Sequence, residues 1–220
     1  MAAVVWRRKE LLLLPGLTVA VVGGVAALVV WAEVLLRGSV LLAVVGLVVL
    51  SFLAVFGNAA LLAAAADALR GRPVGVRSGL GAAAWRWRAL AGWAPVGAVQ
   101  VPGALLLVGL PWSLRNYLVV PAVVLDGAGV REAMRGSRDV YRRDAGAFMR
   151  GTTWMALPFL AAFLPSVVVF LVGLMATDRA LGVALMVGGG LCLWVGATVT
   201  AGLFGVFRAW LYLGSKAPLG

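Results

Sequence analysis

Apolar runs of around twenty residues recur along the whole chain, the length one helix needs to cross a bilayer core about 30 Å thick. Hydrophobic residues make up 63% of the 220 positions and charged ones only 12%, so a soluble fold could not hide this surface. A bilayer admits only helices or closed barrels, because every backbone polar group must be satisfied internally. Runs of this length, without strict alternation, specify helices. The expected fold is therefore all-α: a polytopic bundle of about six spans, near 11–32, 40–66, 89–110, 111–126, 151–176 and 181–207, forming a single membrane domain over 1–220.

The charges fix how such a bundle would sit. Sixteen of the nineteen Lys and Arg residues fall in one alternate set of the segments flanking these spans. They are Arg7, Arg8 and Lys9; Arg70, Arg72, Arg77, Arg86 and Arg88; Arg131, Arg135, Arg138, Arg142, Arg143 and Arg150; and Arg208 with Lys216. Arg37, Arg115 and Arg179 fall in the other set. Basic residues are retained in cytoplasmic loops, which predicts a multi-pass membrane protein with both termini cytoplasmic. The net charge of +11 would suggest nucleic acid in a soluble chain, but charge confined to short loops beside apolar runs points to anionic headgroups instead. Arg7, Arg8 and Lys9 before an apolar run resemble a secretion signal; the run is too long and lacks a small-x-small end, so an uncleaved first span is expected.

An internal repeat organises the middle of the chain. Pro95 and Pro102 precede Leu107-Val108-Gly109-Leu110, and Pro158 and Pro165, also seven apart, precede Leu171-Val172-Gly173-Leu174. Upstream, Gly75-Val76-Arg77 matches Gly129-Val130-Arg131, and Trp87-Arg88 matches Tyr141-Arg142. This predicts a duplicated hairpin with copies near 40–110 and 111–176. Prolines inside hydrocarbon free carbonyls that neighbours must satisfy, which favours a packed bundle. The small residues Gly16, Ala20 and Gly24, and Ala197, Ala201 and Gly205, recur every fourth position and let helices approach closely. Most Trp residues fall at span ends, as interfacial anchors do, with Trp194 the exception.

Between the spans, Val130, Ala133, Met134, Val140, Tyr141 and Phe148 keep a helical period, with Arg131, Arg135, Arg138, Arg142 and Arg143 on the other faces. Such an amphipathic basic helix would lie on the inner leaflet. Arg77 to Arg88 makes a weaker copy. Arg131, Arg135, Arg138, Arg142, Arg143, Arg77 and Arg88 are the candidates for binding anionic lipid or a membrane-protein partner; a solvated face that serves only topology is the alternative. Asp126 before Gly127 reads as a start signal for this helix.

Polar groups inside the spans are the remaining candidates: Asn58, Gln100, Arg115 and Asn116. Asn58 and Gln100 fit either an interhelical hydrogen bond or a transport path. Arg115, after a very short outer turn, is expected to snorkel to the outer interface. Asp67 and Asp126, at matching places in the repeat, are expected to pair with Arg70 and Arg131 or to cap helices. Cys192, alone in the sixth span, is expected to pack as a small apolar residue, and without His no Cys–His metal site can form. No phosphate-cradling glycine loop and no acid–base pair stands out, so neither a cofactor nor catalysis is expected.

The stretch 116–127, Asn-Tyr-Leu-Val-Val-Pro-Ala-Val-Val-Leu-Asp-Gly, followed by 129–137, Gly-Val-Arg-Glu-Ala-Met-Arg-Gly-Ser, resembles a pattern in prokaryotic membrane families. Among these is the membrane domain attached to some glycerophosphoryl diester phosphodiesterases. Phe56-Gly57-Asn58-Ala59-Ala60-Leu61 is similar to an aromatic-x-Asn-Ala motif of the same proteins. The resemblance covers about 52–150 and implies a multi-span helical membrane domain with no catalytic residues to carry over; Asp126 stands where the pattern has Glu, and the phosphodiesterase domain is absent. The expected function is a non-enzymatic scaffold or accessory subunit acting through its basic inner helices. The rivals are a small transporter or permease component, built on the duplicated hairpin and the amides, and a membrane enzyme acting on lipid.

Overall fold

The computed structural model describes residues 10–105, 115–143, 146, 161 and 163–215. Among them the chain is entirely helical. Helix α1 (Glu10–Leu35) turns back into α2 (Val40–Leu69), and α3 (Val76–Trp85) and α4 (Trp87–Leu105) follow. A short α5 (Val119–Pro121) runs into a π-helical turn (Ala122–Asp126), then come α6 (Val130–Arg143), α7 (Phe163–Met175) and α8 (Arg179–Gly214). Helices α1, α2 and α8 are long and apolar enough to cross a membrane; α7 is apolar but shorter.

Local chemistry sets the ends of the long helices. Arg37 and Gly38 adopt positive φ in the α1–α2 turn, and the Glu33 carboxylate accepts the Ser39 N–H at 2.8 Å. Ser39 caps α2 through Leu42 N–H, and Asp178 caps α8 by accepting Leu181 N–H at 2.9 Å. Gly71, at φ 73°, ends α2, and Asp67 there pairs with Arg72 at 2.6 Å.

The bundle has two unlike ends. At one, α2 from 59 to 66 is wholly buried, together with Leu11 and Leu14 of α1, Leu90 and Trp93 of α4, residues 117–124, and Val206 and Ala209 of α8. Helices α3 and α6 close over this core: Gly79 of α3 rests on the Ala60 carbonyl, where a Cβ would stand 2.6 Å from the oxygen. The basic segments 70–88 and 130–143 and the last turns of α8 gather here, so this is the basic end. Toward the far end, over 17–35 of α1, 40–58 of α2, 163–175 of α7 and 179–197 of α8, the buried residues are Gly46, Gly57, Gly173, Gly182, Gly189 and Ser166. There glycine lets helices approach in pairs, Gly46 meeting the Val29 side chain and Gly189 the Phe170 backbone, while Leu28, Leu41, Val44 and Val183 stay exposed. The thinly buried stretches of α1, α2 and α8 each run for 19 residues, about 28 Å at 1.5 Å rise per residue, close to a bilayer's hydrocarbon thickness.

Three expectations change. The described part of the segment expected to cross at 111–126 is not a continuous helix: a turn at 116–118 precedes α5 and the π turn. Both its ends lie at the basic end, since Arg208 stacks on Tyr117 at 4.0 Å and Tyr212, one turn further along α8, donates its hydroxyl to Asp126. Eight helical residues rise about 12 Å, too little to cross. The chain thus leaves the basic end in α4 and is back there by Arg115. Second, Asp126 does not cap α6, which starts at Val130; its carboxylate accepts from Tyr212. Third, the apolar side of α6 does not face outward. Ala133 and Ser137 are buried, and Val130, Met134, Val140 and Tyr141 pack on the protein's own core. As for the repeat, Gly75-Val76-Arg77 and Gly129-Val130-Arg131 both open helices, but the 30-residue α2 has no equal before α6. Pro158 lies outside the described residues.

Candidate functional site

The site is built on the π turn. Pro121 has no N–H to give, and the five residues after it widen into a π turn that Gly127 closes in the left-handed region, at φ 73°. A side chain at 127 would strike the Arg86 guanidinium, which lies against this glycine. The left-handed backbone favours glycine here, whereas the Arg86 side chain could swing aside. Upstream, Ser137 of α6 holds the 115–118 turn from both sides. Its hydroxyl donates to the Arg115 carbonyl at 2.8 Å and accepts the Leu118 N–H at 3.1 Å. Ser137 and Asn116 are both buried, so this clamp is shielded from competing water.

The clamp brings Arg115 alongside α6. Arg115, Arg138, Tyr141 and Arg142 line a cavity of about 300 Å³. No carboxylate is among its described lining residues. Three guanidinium groups around one space repel one another unless water, salt or an anion lies between them. A guanidinium is a planar fork of donors whose geometry matches the paired oxygens of a phosphate or carboxylate. The arrangement can therefore bind an anionic oxygen cluster, and its described lining holds no evident nucleophile or base.

A second basic feature lies at the α3–α4 corner, where Trp85, Arg86, Trp87 and Arg88 follow one another. Trp85 is 83% and Trp87 53% exposed, and the Arg88 guanidinium lies 5.6 Å from the Trp87 ring. Exposed indoles beside arginines suit a headgroup layer, where one part of the ring is apolar and the other wet.

Of the residues singled out in the sequence, the structure brings Arg138 and Arg142 together and adds Arg115 to them. Arg115 was expected at the opposite interface; the backbone reversal at 116–118 and the Ser137 clamp put it at the basic end instead. Arg131 and Arg135 are exposed elsewhere on α6, and Arg77 is exposed on α3. Asn58 lies away from this cavity, half-buried between α1, α2 and α8. Asn116 is buried beneath the clamp rather than in a span. The side chains of Gln100 and Arg143 lie outside the described part of the structure. Cys192 is exposed on α8 rather than packed.

The sequence reading missed Ser137, Tyr141 and Arg208 as site residues. Ser137 carried a weak signal: it is a hydroxyl on the apolar stripe of α6, where a buried polar group needs partners. Arg208 carried none, since nothing linear places it over Tyr117.

The chain matches no family model, no curated protein and no solved structure. Its function is therefore argued from this geometry.

Proposed function

We propose that the chain is a non-enzymatic integral membrane protein that binds anionic lipid through its basic end and serves there as a scaffold or accessory subunit. The observation that carries this reading is the cavity shared by Arg115, Arg138 and Arg142. Positive charge on this face would be drawn to an anionic leaflet at about 1 kcal/mol per basic residue near the surface. The apolar lengths of α1, α2 and α8 support crossing, and the placement of the arginines supports a cytoplasmic basic end in a prokaryotic inner membrane. An even number of crossings is supported by the described chain starting in α1 and finishing in α8 at the same end. The return of the chain to the basic end by Arg115 keeps that parity whether or not the stretch after α4 crosses fully. The two Gly-Val-Arg helix starts support a duplicated origin for α3 and α6. The resemblance to the phosphodiesterase-associated membrane domain fits this reading, which takes no catalytic residue from it.

The test is purification in mild detergent from the native membrane, with mass spectrometry of retained lipids and proteins. The triple variant Arg115→Gln, Arg138→Gln, Arg142→Gln should lose retained anionic lipid or a stoichiometric partner. The double variant Arg37→Gln, Arg179→Gln, at the far end, should keep them. Equal retention in both variants would overturn the proposal.

A transporter remains the second reading, favoured by Asn58 facing a cleft between three long helices. It expects Asn58→Leu to abolish flux of a substrate while expression persists.

A further inference from the structure

Where the thinly buried lengths of α1, α2 and α8 meet the packed basic end, a cleft of about 280 Å³ opens between them. It follows two turns of each helix, 15–22, 54–61 and 201–208, about 10 Å along the bundle axis. Its polarity is graded. Arg208 stands at the basic end, Asn58 and Thr18 near the middle, and Val22 and Ala54 toward the far end, with Phe204 one turn from Arg208.

The polar groups are not equivalent. Thr18 already donates its hydroxyl to the Leu14 carbonyl at 2.8 Å. Arg208 lies with its guanidinium on the Tyr117 ring, and its Nε is buried without a hydrogen-bond acceptor. Among the described residues no carboxylate pairs with Arg208, and the Asp126 carboxylate one turn away accepts from Tyr212. Stacking on an aromatic face holds a guanidinium in place but leaves its in-plane donors to be satisfied by something else. A buried positive donor without an acceptor is costly, which makes an anion the complementary occupant. The walls beyond it are apolar, which suits hydrocarbon.

We infer that this cleft holds one anionic membrane lipid, its headgroup phosphate on Arg208 and Asn58 and the start of one acyl chain along Val22 and Ala54. The direction agrees with the bundle: charge at the basic end, hydrocarbon along the apolar length. The volume is at the lower edge of the roughly 300–1,000 Å³ typical of small-molecule pockets, so it takes part of a lipid, with the rest in the bilayer. Gly57 makes the cleft possible by letting Thr18 of α1 lie against the α2 backbone, and Gly205 does the same for Leu61 against α8. The inference rests on the chain crossing a membrane, but not on the Arg115–Arg138–Arg142 cavity.

The test is native mass spectrometry of the delipidated full chain, titrated with phosphatidylglycerol and separately with phosphatidylcholine of the same chains. The wild type should take up one phosphatidylglycerol with an affinity about fivefold or more above phosphatidylcholine, the effect of one basic residue at a membrane surface. Arg208→Gln should abolish that preference and Arg208→Lys should keep most of it. Ala54→Phe, which fills the apolar end without touching the arginine, should lose the bound lipid of either kind. Arg138→Gln with Arg142→Gln should leave this first lipid in place, which separates the cleft from the basic cavity. Equal uptake of the two lipids, or a first lipid that survives both Arg208→Gln and Ala54→Phe, would overturn the inference. So would a first lipid lost only when Arg138 and Arg142 are replaced.

Discussion

The basic half of the bundle is packed like the interior of a soluble domain, whereas the far half is packed like a set of helix pairs. In the basic half the buried residues are large: Leu61, Leu62, Leu90, Leu118, Val119 and Val206 are at most 2% exposed. In the far half they are glycines with one serine, and Leu28, Val30 and Val40 are more than 60% exposed. Such a difference is what the proposed membrane setting of the far half would produce. Water drives apolar side chains together, but lipid tails are as apolar as leucine, so helices in hydrocarbon gain mainly from close backbone approach. Helices α3 and α6 and the π turn exist only at the basic end, and they supply the extra layers that a side-chain core needs.

That contrast can be broken by experiment. Leu62→Ala, within the basic core, should cost about 2–5 kcal/mol, while Leu28→Ala should stay within about 0.5 kcal/mol. Thermal unfolding of both variants in the same detergent measures the gap; equal costs would show that the two halves do not differ in packing. A smaller but sharper effect is expected for glycine. Gly79→Ala puts a methyl against the Ala60 carbonyl, which is backbone and cannot swing away, and should cost about 1–3 kcal/mol of overpacking. Gly23→Ala, with nothing within 4 Å, should be neutral or slightly stabilising because alanine favours helix. A destabilised Gly23→Ala would mean that the far half is covered by another surface. Of the three destabilising substitutions the mildest is Ser137→Ala, which leaves the buried Leu118 N–H without its acceptor, at about 1–2 kcal/mol. Its sharper readout is lipid retention: with the clamp gone, Arg115 should no longer act with Arg138 and Arg142. Retention at the wild-type level would show that the clamp does not position the cavity.

The helical class and the grouping of basic residues could be read from composition and periodicity, because both are local properties. Helix α2 (Val40–Leu69) and α8 (Arg179–Gly214) arise where the apolar runs are longest, and α6 arises where the 3.6-residue period is clearest. The segment 111–126 misled, since its composition is that of a span. A run of apolar residues around Pro121 reads the same whether it faces lipid or lies buried against α2, α6 and α8. Hydrophobicity records that a residue avoids water and not what it packs against.

What the sequence by itself determined is the material of each half: long apolar helices, glycines where helices approach closely, and most of the arginines at one end. Those follow from the length of each run and from the cost of placing charge in hydrocarbon. Tertiary structure alone decided which arginines act together. Arg115 and Arg138 are 23 positions apart and meet because Ser137 clamps a reversal of the backbone, and Arg208 reaches Tyr117 because α8 ends beside that same turn. Those contacts depend on how separate helices dock, and docking is set by shape and buried hydrogen bonds across the chain rather than by any local pattern.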